Sequence, residues 1–229
     1  MGYEAAAVLA SLAMLPRLEP GTHRLSIVVP GLGPVRCVMD VPTNLDTPVP
    51  LVLALHFAFP GALPDPFTGG RLLESFRPGL AALHAVVLAP DSLGGRWTDA
   101  INEEATVALV RSAMQRYPID PKRVLITGFS RGGEGAWHIG SRHQELFTGA
   151  IPVAAPVAGG EQWTIPIYAI HSEKDEIVSY RAAKEHADRL NASGARIEFH
   201  TVSDLTHYQT AAYASYLADG VRWMQSEWQ

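Results

Sequence analysis

One cysteine, Cys37, is all the thiol chemistry this chain offers. A single thiol forms no intrachain disulfide and cannot assemble a thiolate zinc site. A reducing compartment, the cytoplasm, is therefore the expected location, with export as the alternative. Basic clusters are lacking too. Lys and Arg total 18 against 23 Asp and Glu, for a net charge of −5, and no block of basic residues occurs. Neither nucleic acid nor an anionic membrane surface is an expected partner. The apolar run at 5–15 (AAAVLASLAML) falls well short of the ~20 residues that cross a bilayer. Glu4, not Lys or Arg, precedes it, and no A-x-A-like cleavage site follows before Pro16. Residues 1–22 are thus expected to form an arm or helix on one domain covering 23–229. A phosphate loop of the form G-x-x-x-x-G-K-[ST] is also missing.

What remains is ordinary globular composition, 47% hydrophobic and 18% charged. Strand-like runs occur at 23–29, 35–41, 51–56, 84–89, 123–129, 149–154, 165–170 and 196–202. Several of them, LVLALH at 51–56 and HAVVLA at 84–89 among them, are apolar almost throughout. Strands of that kind are buried on both faces. Helical stretches are expected at 71–83, 100–116, 131–143, 179–192 and 208–226; in the second, Ala105, Leu109 and Ala113 recur at helical spacing. Strands alternating with helices predict an α/β fold with a mainly parallel sheet covered on both sides. Ligands in such sheets bind at the carboxyl ends of the strands.

At one of those ends the sequence reads VLITGFSRGGEGA. Gly128-Phe129-Ser130-Arg131-Gly132 fits G-x-S-x-G, with an apolar strand before it and a helical run after it. Glycines flanking the serine leave room for a sharp strand-to-helix turn, and the start of the helix presents free backbone N–H groups. A serine hydroxyl is a weak nucleophile and needs a base, itself oriented by a third group. Asp175, in HSEKDEIV just past the run at 165–170, is the candidate acid, with Glu173 and Glu176 as competitors in the same loop. His207, in SDLTHYQT after the last strand, is the candidate base. His200 falls inside that strand and His186 inside a helix, while His171 closes the strand before Asp175 and is expected to shape the acid loop.

DPKRVLITGFSRGGEGAW, IPIYAIHSEKDEIV and the closing His207 resemble the α/β-hydrolase superfamily, and the likeness runs from about residue 24 onward. Within it, the chain is similar to small cap-less esterases: dienelactone hydrolases, phospholipase/carboxylesterases and polyhydroxybutyrate-depolymerase-like esterases. The resemblance implies an α/β-hydrolase fold without a cap domain. It also implies a serine carboxylesterase acting on a small-molecule ester, with Ser130 as nucleophile, Asp175 as acid, His207 as base, and no cofactor or metal. A peptidase or amidase of the same fold is the second reading, and a non-catalytic binding module on that scaffold the third. The resemblance places the oxyanion-hole N–H groups at Arg131 and at Phe57 or Ala58. Phe57 stands where those families usually carry glycine, which puts the conformation of this loop in question. Phe57 and Phe59 either line an acyl pocket or pack on each other. Arg131 either meets a substrate carboxylate or pairs with Glu134, and Trp97 either walls the cleft or packs inside.

Overall fold

In the computed structural model, residues 15–59, 66–160 and 162–229 are described. Most of the expected arm, residues 1–14, lies outside them. Its end is tied down. Leu15 is buried, its N–H donates to Ser112 Oγ, and the Tyr117 hydroxyl donates to the Pro16 carbonyl.

The chain enters the sheet as a hairpin, β1 (Gly21–Val29) and β2 (Gly33–Val41), closed by a turn in which Leu32 N–H bonds the Val29 carbonyl. Then come β3 (Val49–Leu55), β4 (Val86–Pro90), β5 (Ile119–Phe129), β6 (Gly149–Val153), β7 (Ile167–Ser172) and β8 (Ile197–Val202). Together they form one eight-stranded sheet in the order β1-β2-β4-β3-β5-β6-β7-β8. β1 and β2 run antiparallel to their neighbours, and β3 through β8 are parallel. Every residue of β3 is buried, as its unbroken apolar run requires. Alternate side chains serve opposite faces: Leu51, Leu53 and Leu55 enter one core, Val52 and Ala54 the other.

Among the described residues five helices connect and cover the sheet: α1 (Gly69–Leu80), α2 (Ala100–Arg116), α3 (Arg131–Arg142), α4 (Tyr180–Ala192) and α5 (Ala214–Glu227). α1 and α5 bury Leu72, Phe76, Leu217 and Val221 in one core; α2, α3 and α4 bury Leu109, Ile139 and Leu190 in the other. This is the expected mainly parallel sheet with helices on both faces. Between β6 and β7 the described residues of 154–166 form a loop, and no cap is inserted there.

Element boundaries differ from expectation where proline or a tight turn intervenes. The helix expected at 71–83 ends at Leu80, two residues beyond Pro78, and continues as a 3-10 turn over Ala81–Leu83. The helix expected from 208 begins at Ala214, after a 3-10 turn at Thr210–Tyr213. β5 starts at Ile119 instead of 123, because Ile119 already pairs with Val49 of β3 across an irregularity in the ladder.

Candidate active site

β5 delivers Ser130. Its N–H makes a last bond to the Val153 carbonyl, and the backbone then turns sharply with φ 55° and ψ −118° before α3 begins. Such a conformation is costly for a residue with a side chain and persists only where the surroundings enforce it. The glycines allow it. A Cβ on Gly132 would lie 1.8 Å from the Leu55 carbonyl oxygen, and one on Gly128 would lie 2.3 Å from the Gly132 backbone. The two glycines therefore let α3 start directly against the end of β3. A Cβ on Gly132 would also lie 2.8 Å from the His56 carbonyl oxygen, so Gly132 sits against the start of the loop that carries Phe57 as well.

β8 and β7 deliver the partners. His207 Nε2 lies 2.8 Å from Ser130 Oγ, and His207 Nδ1 lies 2.8 Å from Asp175 Oδ2. An ionised carboxylate only accepts, so Nδ1 carries the imidazole proton and the Nε2 lone pair faces the Ser130 O–H. Asp175 Oδ1 accepts from the N–H groups of Ile177 (3.0 Å) and Val178 (2.7 Å). Burial works to raise the Asp175 pKa, but the bonds from His171, His207, Val178 and Ile177 outweigh it. Asp175 is held well below the usual carboxylate range. Its competitors are placed otherwise. Glu176 accepts the His207 backbone N–H at 3.0 Å, and Glu173 N–H bonds the Val202 carbonyl with its side chain exposed. His200 meets the Tyr168 hydroxyl and His186 lies in α4, neither near Ser130. His171 touches Asp175, so it does sit in the acid loop.

The loop after β3 is held by a ring of bonds around His56. Ser92 N–H donates to His56 Nε2 (3.1 Å), which leaves Nδ1–H to donate to the Phe57 carbonyl (2.7 Å). Burial lowers the His56 pKa, so the neutral ring that these bonds require is the stable form. Trp97 Nε1–H donates to the His56 carbonyl at 2.8 Å, and the two rings meet edge-on. Phe57 is not among the residues with positive φ, so phenylalanine is accommodated here without strain. Its ring packs on Phe59 (4.8 Å) and edge-on to Phe129 (6.2 Å). Phe129 in turn lies against His207 and Tyr213, an aromatic bed beneath the serine and the histidine.

Two expectations need correction. Trp97 is 3% exposed and does not wall a cleft, because its indole is committed to the carbonyl of His56 within the core. Arg131 does not pair with Glu134. Glu134 turns inward, nearly fully buried, and takes Arg96 from the loop before α2. Arg131 is exposed and has no ion pair among the described residues. The parts played by Glu176, Trp97 and Phe129 carried no signal in sequence spacing; each depends on a residue 30 or more positions away.

A serine at a strained strand-to-helix turn, facing an imidazole backed by a buried carboxylate at the carboxyl edge of a parallel sheet, defines the α/β-hydrolase class of serine hydrolases. The phospholipase/carboxylesterase family profile matches residues 99–213, half of the chain and the part holding Ser130, Asp175 and His207. The chain belongs to that family. It is 28% identical over 108 residues to a putative carboxymethylenebutenolidase from Aquifex aeolicus, covering 45% of this chain and 46% of that one. It is 29% identical over 76 residues to a bifunctional acetylxylan esterase/xylanase from Neocallimastix patriciarum, covering 32% and 11%. The matches thus span less than half the length of these curated relatives. Among solved structures, a thermostable esterase superposes with a TM-score of 0.71 at 21% identity, over 90% of this chain and 62% of that one. That likeness is one of fold.

Proposed function

We propose that this chain is a serine carboxylesterase for small carboxylic esters, built as a single hydrolase domain over 23–229. Ser130 attacks the ester carbonyl while its proton passes to His207 Nε2. Asp175 holds the imidazole in the required tautomer and stabilises the imidazolium that forms. The tetrahedral oxyanion is held by the backbone N–H of Arg131 and that of Phe57 or Ala58. His207 then protonates the leaving alcohol, and a water activated by the same imidazole cleaves the acyl-enzyme. The 2.8 Å separation of His207 Nε2 and Ser130 Oγ carries this reading.

Access supports small or flexible esters: no cap lies between β6 and β7 among the described residues, and Ala58 is exposed beside the half-buried Phe57 and Phe59. The binding-module reading needs Phe57 to plug the oxyanion site, whereas its ring packs on Phe59 and Phe129. No helix among the described residues is long and apolar enough to cross a membrane. The lone cysteine, buried in the sheet, is consistent with a reducing compartment.

The test is steady-state hydrolysis of p-nitrophenyl acetate alongside matched amide and peptide substrates. Turnover of the ester, lost in Ser130→Ala, is expected. Amide or peptide cleavage at comparable rates would favour the peptidase reading, and no turnover of any short ester would contradict both.

A further inference from the structure

β7 ends on two residues with different duties. Ser172 is the last strand residue, and its Oγ accepts the Lys174 N–H, which starts the acid loop. His171, just before it, is 2% exposed and reaches into that loop. Its Nε2 lies 3.1 Å from the Val178 carbonyl oxygen and 3.2 Å from Asp175 Oδ2. Both neighbours are acceptors, so Nε2 bears a hydrogen and shares it between them. Asp175 Oδ2 is the same oxygen that accepts from His207 Nδ1, and the Asp175 side chain is 0% exposed. One buried carboxylate therefore serves two imidazoles, and the proposed mechanism uses only one of them.

We propose that His171 is a positioning residue that shares Asp175 with His207 and so sets how firmly the carboxylate holds the His207 imidazolium. The inference rests on the esterase reading above. Two effects carry it. Through the Val178 carbonyl, His171 anchors the residue whose own N–H binds Asp175 Oδ1, and this helps to fix the plane of the carboxylate. Through Oδ2, the donated hydrogen draws on negative charge that would otherwise face His207, so the imidazolium is held less tightly. The other titratable groups facing Asp175 and the two imidazoles are Glu176, on the His207 N–H, and three tyrosines. Tyr180 lies edge-on to His171 at 6.2 Å, Tyr208 lies edge-on to His207 at 6.0 Å, and the buried Tyr213 feels the Asp175 charge. None of these donates to Oδ2.

The sign follows. A base that must be neutral to accept the serine proton becomes active at lower pH when its charged form is less stabilised. With His171 in place, the acid limb of the kcat/KM profile lies lower than it would without it.

The experiment compares His171→Gln with His171→Asn. Both are polar and uncharged. The glutamine amide reaches the position of the histidine Nε2, and the shorter asparagine amide does not. Expected for His171→Asn are a kcat down about tenfold, KM within about twofold, and an acid limb raised by about half a pH unit. His171→Gln is expected to restore both kcat and the limb to near wild-type values. Equal losses in the two variants, or an unmoved limb in His171→Asn, would reduce His171 to packing and overturn the proposal. Wild-type protein that hydrolyses no ester would instead overturn the esterase reading, and this inference with it.

Discussion

The indole N–H of Trp97 holds the carbonyl of His56 at 2.8 Å, and His56 in turn donates from Nδ1 to the Phe57 carbonyl at 2.7 Å. The loop proposed to supply an oxyanion donor is thus fixed from inside the core, without the glycine usual at position 57. Replacing Trp97 by Phe keeps most of the packing and removes the donor. A fall in kcat of about 10–100-fold is expected, smaller than the loss of a direct oxyanion donor, with little change in KM. Parallel kinetics on Trp97→Phe and wild type check this.

Asp175 offers a cleaner separation of geometry from charge. Asp175→Asn retains the size of the side chain but cannot impose the Nδ1–H tautomer on His207. A loss of about 10⁴-fold in kcat is expected with the fold intact. Ester turnover measured alongside circular dichroism decides it.

Gly132 is a steric requirement of the turn. Its missing Cβ would stand 1.8 Å from the Leu55 carbonyl oxygen, a backbone atom with no room to move. Gly132→Ala is expected to destabilise the domain by about 1–3 kcal/mol and to abolish turnover by forcing α3 away from β3. Thermal melts and residual activity report the two effects.

On the far side of α3, Glu103 accepts hydrogen bonds from Arg142, His143 and His138. Burial pushes its pKa up, yet these three partners outweigh burial and hold it at about 2. A carboxyl depressed on folding stabilises the fold above its unfolded pKa, and that contribution fades as pH falls from about 4.5 toward 2. Glu103→Gln is expected to lower Tm by about 2–8 °C at pH 7. Near pH 2, where about half of Glu103 is itself protonated, the difference from wild type shrinks. Melting curves across this range test it, and a difference independent of pH would contradict it.

The parallel sheet was legible because strands buried on both faces leave long apolar runs, and LVLALH at 51–56 admits few other readings. Ser130 was legible because the turn needs glycines at fixed offsets. Asp175 and His207 followed from being polar residues just past buried strands. Arg131 and Trp97 were read less well, for a common reason. Helical spacing offered Glu134 to Arg131, but Glu134 lies on the inward face of α3, where Arg96 from a different loop meets it. Trp97 follows two glycines in what looks like a surface loop, and only the position of the His56 carbonyl draws it inside. Partners set by tertiary contact leave no period in the sequence.

The central claim is that Ser130 is an activated nucleophile. Treating the intact protein with a fluorophosphonate probe and mapping the adduct by peptide mass spectrometry tests it most directly. A single stoichiometric adduct on Ser130, absent from Ser130→Ala and strongly slowed in His207→Ala, is the expected result. Folded wild-type protein that stays unlabelled, or a Ser130→Ala variant that labels equally well, would contradict the account.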